Sequence, residues 1–128
     1  MQIIDSSSIV KYFSQEPGWE GVRQHLEKSM TLHMAIVELA SALGKKVSKN
    51  MLKKDAAMDA LSSYREYADV TDQNAYIPQA LEIALSKGSS IYDSMFIAAA
   101  IKTGSDLVSS DDKQLRIAQE LGIRAIKC

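Results

Sequence analysis

Short apolar strands that alternate with helical segments limit the possible folds of this chain more than any other feature. The first predicted strand is Met1–Ile4, and four others follow at Met30–Met34, Ala68–Val70, Asp106–Ser109 and Gly122–Ile126. An opening strand this apolar is typical of a parallel sheet covered by helices on both faces. The alternation predicts an α/β fold, a three-layer α/β/α sandwich around a central, mostly parallel five-stranded sheet.

The segments between the strands have the spacing of apolar residues that helices show. The predicted helices are Ile9–Phe13, Trp19–Lys28, Ala35–Lys49, Lys53–Tyr67, Asn74–Ser86, Ile91–Thr103 and Lys113–Leu121. Pro17-Gly18 and Lys87-Gly88 are expected to end the helices that precede them. With 128 residues and no internal repeat or linker, the chain is predicted to form one domain over residues 1–128.

Composition excludes several classes of function. The 15 basic and 16 acidic residues nearly balance, so a contact with nucleic acid would need a local basic patch. The single cysteine, Cys128, excludes an internal disulfide framework and a zinc site built from cysteines. No signal-peptide segment and no run long enough to span a bilayer is present, and we therefore expect a cytoplasmic protein without membrane contact.

Four acids stand apart from the charged helix faces on which most of the others lie. Asp5 follows the opening strand and Asp111 follows the fourth. Glu38 and Asp93 are single charges within apolar helical segments. Because an ionised carboxylate is costly to remove from water, each of these acids needs a partner, a proton or a bound cation.

Helix capping is the alternative explanation for each acid taken singly. Asp5, or a serine after it, is suited to cap the first helix, and Asp111 or Asp112 is suited to cap the last. Ser90 and Asp93 have the spacing of a capping box. Glu38, near a helix start, is favoured by the positive end of the helix dipole.

Convergence of the four acids gives a different prediction. In a parallel sheet, strand ends and the helix turns that follow them lie along one edge, where ligands bind. Two carboxylates ~4 Å apart repel by roughly 4 kcal/mol at an effective dielectric constant near 20. A hard divalent cation relieves this repulsion, and ligation by oxygen alone points to Mg²⁺ or Mn²⁺. Water bound to such a cation is a nucleophile suited to phosphodiester cleavage.

Four stretches of the sequence resemble the PIN-domain nucleases, and most closely the VapC-type toxins of prokaryotic toxin–antitoxin pairs. Each stretch contains one of the acids, and they occur in the order of the family: Ile3–Ser7, Val37–Leu43, Gly88–Ala100 and Leu107–Leu115. The first is an apolar strand followed by Asp and small hydroxyl residues. The last is similar to a Leu-Val-Thr-x-Asp pattern, with Ser109 in place of Thr, and Ser41 stands where the family often has Asn.

The resemblance implies a metal-dependent endoribonuclease. In it, Mg²⁺ or Mn²⁺ would be held by four carboxylates: Asp5, Glu38, Asp93 and Asp111. Ser7 and Ser109 would support the site from behind the ligands. Asp112 would do the same or replace Asp111, since the adjacent acids leave the register open, and the spacing from Leu107 and Val108 favours Asp111.

Partners also follow from the resemblance, namely an RNA substrate, a VapB-like antitoxin and a second copy of the chain. Five lysines fall between Lys45 and Lys54, and a solvated helix end and loop is the simpler explanation of them. Lys45, Lys46 and Lys49 are the candidates for RNA contact if this segment instead binds phosphates. Tyr12, Phe13 and Trp19 belong to the core, to a dimer contact or to an antitoxin groove.

Three rival functions remain open at this point. A PIN scaffold without catalysis would bind RNA or protein only. A phosphoacceptor receiver module has clustered acids and a late lysine, here Lys127, but normally two acids after its first strand, where this chain has Asp5-Ser6. His25 and His33 would have to be the acid and base of a metal-free ribonuclease, but their spacing favours structural roles.

Overall fold

A computed structural model describes residues 1–128. Five strands form the sheet: β1 (Gln2–Ile4), β2 (Ser29–Leu32), β3 (Asp69–Thr71), β4 (Asp106–Ser109) and β5 (Ala125–Lys127). Seven α-helices connect or flank them: α1 (Ser6–Phe13), α2 (Arg23–Leu26), α3 (His33–Ser48), α4 (Lys54–Tyr67), α5 (Ile77–Lys87), α6 (Ile91–Thr103) and α7 (Asp112–Glu120). Two 3₁₀ turns precede α2 and α5, at Trp19–Val22 and Asn74–Tyr76.

All five strands are parallel, in the order β3-β2-β1-β4-β5. The chain moves from β1 towards β3 and then returns across β1 to β4 and β5. Because crossover connections between parallel strands are right-handed, α1 to α4 cover one face of the sheet and α5 to α7 cover the other. The predicted three-layer sandwich is confirmed, and the sheet is entirely rather than mostly parallel.

The strand order reverses between β1 and β4, which pair directly with Ile4 opposite Val108. In open α/β sheets, ligands bind outside the carboxyl ends of the strands at such a reversal. Asp5 follows β1 and Ser109 ends β4, so both lie at this position. Helix α6 leads into β4 through Gly104 and Ser105, which places its first turn at the same edge of the sheet.

Most predicted elements are confirmed within one to three residues of their ends. Helix α1 begins at Ser6 rather than Ile9, because Asp5 caps it and lets the helix start directly after β1. The predicted strand Met30–Met34 is too long, because His33 and Met34 already belong to α3. The predicted helix Trp19–Lys28 is divided into a 3₁₀ turn and the short α2.

Helix α6 is the centre of the core. Every residue from Ser94 to Ala100 is buried, because α6 lies on β1 and β4 and between α5 and α7. Its three consecutive alanines, Ala98 to Ala100, permit this close packing. None of the helices combines the length and the apolar character that crossing a lipid bilayer requires.

Candidate active site

Asp5 is a buried carboxylate at the carboxyl end of β1. Its backbone N–H still pairs with the Val108 carbonyl at 3.1 Å, so the sheet fixes its position. The side chain is only 2% exposed. Oδ1 accepts from the Ser8 N–H at 3.1 Å, while Oδ2 accepts from the hydroxyls of Ser7 and Ser109, each at 2.7 Å. Asp5 thus caps α1 and belongs to the candidate site as well.

Burial raises the pKa of Asp5 from 3.8 to about 6, and the hydrogen bonds from Ser7, Ser109 and Ser8 oppose this rise without cancelling it. The desolvation cost therefore exceeds the stabilisation that three donors provide. A carboxyl group with these properties is stabilised by any cation brought close to it.

Ser109 connects Asp5 to the end of β4 and the start of α7. Its Oγ accepts from the Asp111 N–H at 3.0 Å while its hydroxyl proton points towards Asp5. Asp111 is the N-cap of α7, and its Oδ1 accepts from the N–H groups of Lys113 at 2.9 Å and Gln114 at 3.2 Å. The second carboxylate oxygen of Asp111 makes no hydrogen bond within the chain and remains available to a ligand.

Asp93 lies in the first turn of α6, half buried, where its N–H donates to the N-cap Ser90 Oγ at 3.1 Å. Desolvation raises the pKa of Asp93, and the negative charge of Asp111 raises it further, which shows that these two acids act on each other. The Ser90 hydrogen bond and the positive charge of Lys113 oppose the rise. Lys113 Nζ is itself held by the Gly88 carbonyl at 3.0 Å.

Glu38 has no polar contact with the other three predicted acids. It is half buried in the second turn of α3, about 8 Å along the helix axis from the first residue of that helix. No hydrogen bond or ion pair connects it to Asp5, Asp93 or Asp111. The structure therefore joins three of the four predicted acids through contacts or charge, and leaves the part of Glu38 in the site a prediction.

No group of three or more His, Cys, Asp or Glu side chains is close enough to hold a metal ion together. Both oxygens of Asp5 and one of Asp111 accept hydrogen bonds from donors of the protein. By donor type the set fits a hard divalent cation, because it consists of carboxylates, and burial raises the pKa of two of them, Asp5 and Asp93. The fit is one of chemistry, and the four-ligand arrangement stays a prediction.

The supporting residues divide into two groups. Ser7 and Ser109 contact Asp5 directly, as expected of residues behind the carboxylates. Asp112 is exposed, and its Oδ1 pairs with Lys127 Nζ at 2.8 Å rather than with a residue of the candidate site. Of the two adjacent acids, the contacts thus favour Asp111 as the site residue.

Gln114 is a residue that sequence reasoning missed. It is 1% exposed, its Nε2 donates to the Asp93 carbonyl at 3.1 Å, and its Oε1 lies 3.0 Å from Ser109 Oγ. Its spacing in the sequence could have indicated that it is buried, because Gln114 lies on the same apolar face of α7 as Ile117, Ala118 and Leu121.

The two histidines lie at different places. His25 Nδ1 is 3.3 Å from the side-chain oxygen of Gln2, at the amino end of β1. His33 begins α3 at the opposite edge and is exposed. They do not form an acid–base pair, which argues against the metal-free ribonuclease.

A surface cavity of about 660 Å³ has none of the four predicted acids in its lining. It is formed by α3, α4 and β3 and has a mainly apolar lining that includes Ile36, Val37, Leu61 and Val70. The acidic site is instead an open edge of the sheet.

Residues 3–120 match the PIN domain family, and the chain belongs to that family. A relative with a known activity is Ribonuclease VapC3 from Pyrobaculum aerophilum, which is 26% identical over 115 residues, covering 85% of this chain and 88% of the relative. The expected resemblance to VapC-type proteins is confirmed, and membership of the PIN family replaces the receiver module as an explanation of the clustered acids.

Solved structures with the same fold include PAE2754 from Pyrobaculum aerophilum, at a TM-score of 0.77 and 23% identity over 98% of this chain and 90% of that one. VapBC2 from Rickettsia felis, bound to a DNA fragment from its promoter, has a TM-score of 0.73 and 15% identity, covering 99% of this chain and 98% of that one. FitAcB from Neisseria gonorrhoeae has a TM-score of 0.70 and 15% identity, covering 98% of this chain and 96% of that one. At these identities the likeness establishes the fold alone.

Proposed function

We propose that this protein is a metal-dependent endoribonuclease that hydrolyses phosphodiester bonds of RNA. The observation that carries the proposal is the buried Asp5 at the strand reversal, joined through Ser109 to Asp111 and, through charge, to Asp93. The similarity to a VapC ribonuclease supports RNA as the substrate.

Mg²⁺ or Mn²⁺ is the proposed cofactor, and Asp5, Glu38, Asp93 and Asp111 are the residues that would hold it. When bound, such a cation supplies an activated water and a positive charge that stabilises the phosphate in the transition state.

The residues of the chain have roles that follow from their contacts. Ser7 and Ser109 fix the orientation of Asp5, since each donates to the same carboxylate oxygen. Capping of α7 fixes Asp111 through one oxygen and leaves the other facing outward. Lys113 reduces the repulsion between Asp93 and Asp111. Asp5 and Asp111 are thus held in place before substrate arrives, which lowers the entropic cost of ordering them for the reaction.

Cleavage of a fluorescent RNA, titrated with Mn²⁺, tests the proposed function. We expect activity that requires Mn²⁺, disappears with a chelator and falls at least ~100-fold in Asp111→Asn, because one of the carboxylates proposed to hold the cation is lost. Asp106→Asn is the matched control, because Asp106 begins β4, the strand that leads to Asp111, and lies at the opposite edge of the sheet. Metal-independent cleavage, or equal activity in Asp111→Asn, would reject the proposal and favour a PIN scaffold that only binds.

We further propose that the protein is the toxin of a VapBC-type pair, acts in the cytoplasm on cellular RNA and is inhibited by an antitoxin. The known complexes VapBC2 and FitAcB support this partner. A groove of about 230 Å³ lies beside Tyr12, Phe13, Leu26 and Tyr67 and is a candidate for the antitoxin segment. The ring of Tyr12 packs against Phe13 and Trp19, at centroid distances of 5.0 and 5.5 Å, so the aromatic cluster forms part of the groove wall and part of the core.

A homodimer is the proposed oligomeric state, and an apolar stripe on α5 supports it. Ile77, Leu81 and Leu85 recur every four residues and are 44%, 51% and 78% exposed. We expect Leu81→Glu with Leu85→Glu to convert a dimer to a monomer in light scattering, because two charges would be buried at the contact. The exposed Glu66→Gln on α4 is the control, and a wild-type protein that is monomeric at high concentration would contradict the dimer.

The lysines near the end of α3 are the proposed RNA contacts. Lys45, Lys46 and Lys49 lie about 10 to 17 Å along the helix axis from Glu38, so they would meet RNA away from the cut bond. We expect Lys45→Glu with Lys46→Glu to weaken RNA binding about tenfold or more and to reduce the slope of log K against log salt by about 2. Fluorescence anisotropy at four salt concentrations measures this, with Lys102→Glu as control. An unchanged slope would remove these residues from the RNA surface.

A further inference from the structure

Gln114 connects the three elements that carry Asp5, Asp93 and Asp111. Its Nε2 donates to the Asp93 carbonyl at 3.1 Å, and its own N–H donates to Asp111 Oδ1 at 3.2 Å. Its Oε1 lies 3.0 Å from Ser109 Oγ, which lies 2.7 Å from Asp5 Oδ2. This one buried residue of α7 therefore contacts α6, donates to the N-cap of its own helix and reaches the Asp5 carboxylate after β1 through a single hydroxyl.

The orientation of the Gln114 amide is determined by its partners. The Asp93 carbonyl can only accept a hydrogen bond, so the amide must present Nε2 to it, and Oε1 then faces Ser109. The Ser109 hydroxyl has one proton and two acceptors within reach, Asp5 at 2.7 Å and Gln114 at 3.0 Å. The amide is therefore locked on one side and shares a hydrogen bond on the other.

A neutral amide is suited to this place. Asp93 lies in the first turn of α6 and Asp111 caps α7, so two negative side chains lie at the starts of neighbouring helices. Gln114 joins the first turn of α6 to α7 without adding charge. A lysine here would neutralise the acids, and a glutamate would add to their repulsion.

We propose that Gln114 is a positioning residue that holds the Asp93 carboxylate in register with Asp111 and Asp5. The proposal rests on the proposed nuclease function, since the register matters for the reaction. Gln114 does not touch substrate in this role. It acts through the Asp93 main chain and through Ser109.

Gln114→Met tests the role, because methionine has a similar length and no amide. We expect kcat for RNA cleavage to fall about 10- to 100-fold with KM within about twofold, the magnitude typical of residues behind metal ligands. The urea midpoint should stay at the wild-type value, because methionine suits the apolar face of α7. Gln119→Met, on the exposed face of the same helix, is the control with wild-type kcat.

A merely structural role predicts different results. Gln114→Met and Ser109→Ala interrupt one chain of contacts, so their effects on kcat should be less than multiplicative, whereas independent structural damage would multiply. In protein without added metal, hydrogen exchange of the first turn of α6 should accelerate in Gln114→Met, while its last turn stays unchanged.

Each outcome decides for or against the proposal. Wild-type kcat and wild-type exchange in Gln114→Met would overturn it, as would a loss of kcat that multiplies with that of Ser109→Ala. If Gln114→Met does not fold, Gln114→Leu is judged by the same criteria, and failure of both to fold shows that the residue is structural and overturns the proposal. A wild-type protein without nuclease activity would remove the proposed function instead, and the exchange experiment would still decide whether Gln114 positions α6.

Discussion

Replacing Asp5 with asparagine is expected to reduce RNA cleavage by about 10³-fold, because the change removes several kcal/mol of charge stabilisation and each 1.36 kcal/mol corresponds to tenfold in rate. Asparagine has nearly the same shape, its amide oxygen can accept from the Ser8 N–H, and its NH2 group can donate to the hydroxyls of Ser7 and Ser109, which are able to accept. The loss would therefore come from the missing negative charge rather than from a collapsed site.

The same variant should be more stable than wild type at pH 7.5 in the absence of metal, since it removes a buried carboxylate whose ionisation is unfavourable. Urea unfolding and initial cleavage rates on the same preparations measure both effects. Asp106→Asn, at the far end of β4, is the control, and its cleavage rate and stability should stay close to the wild-type values. Cleavage by Asp5→Asn at more than a tenth of the wild-type rate would show that Asp5 only caps α1.

The second large effect is a dependence of stability on pH that originates at Asp5. Its pKa is about 6 in the folded chain and 3.8 is the ordinary value, so the folded state holds the proton more tightly. Its contribution to stability is complete below pH 3.8, declines as pH rises through 6 and is lost above that. A difference of about two pKa units corresponds to ~3 kcal/mol.

The difference in free energy of unfolding between wild type and Asp5→Asn isolates this contribution from those of the other acids. We expect that difference to change by ~2.4 kcal/mol between pH 4 and pH 7.5 in metal-free buffer, in the direction that disfavours wild type at high pH. Mn²⁺ at 100 times its dissociation constant should raise the free energy of unfolding of the wild type by about 2.7 kcal/mol. A difference that stays constant with pH would mean that Asp5 is not the buried acid described.

Much of the fold could be predicted because local and long-range preferences agree. The apolar strands β1 and β4 and the uninterrupted α6 need no tertiary information, and Gly88 and Gly104 adopt the left-handed conformation that ends α5 and α6. The start of α3 could not be predicted, since His33 and Met34 extend an apolar strand in sequence and become helical only because β2 ends at the sheet edge. The order of the strands also depends on packing between distant segments.

The sequence revealed those residues of the candidate site that are single charges next to or within apolar segments. Asp5, Asp93 and Asp111 stand out because each follows or enters an apolar segment, and in the structure Asp5 and Asp111 are connected through Ser109. Capping does not exclude a place in the proposed site, since Asp5 and Asp111 cap helices at the edge of the sheet where that site would lie. Gln114 was not predicted as a residue of the site, because glutamine carries no charge. One of its partners is a main-chain carbonyl, whose position no sequence pattern reveals.

Whether the four carboxylates form one cation site can be measured by calorimetry at pH 7.5, as the binding of Mn²⁺ to wild type and to Asp5→Asn, Glu38→Gln, Asp93→Asn and Asp111→Asn. We expect saturable binding by the wild type, at least ~10-fold weaker binding by each of the four variants, and wild-type affinity in Asp106→Asn. A wild type that binds no Mn²⁺, or Glu38→Gln and Asp93→Asn variants that bind it as tightly as the wild type, would contradict a shared site.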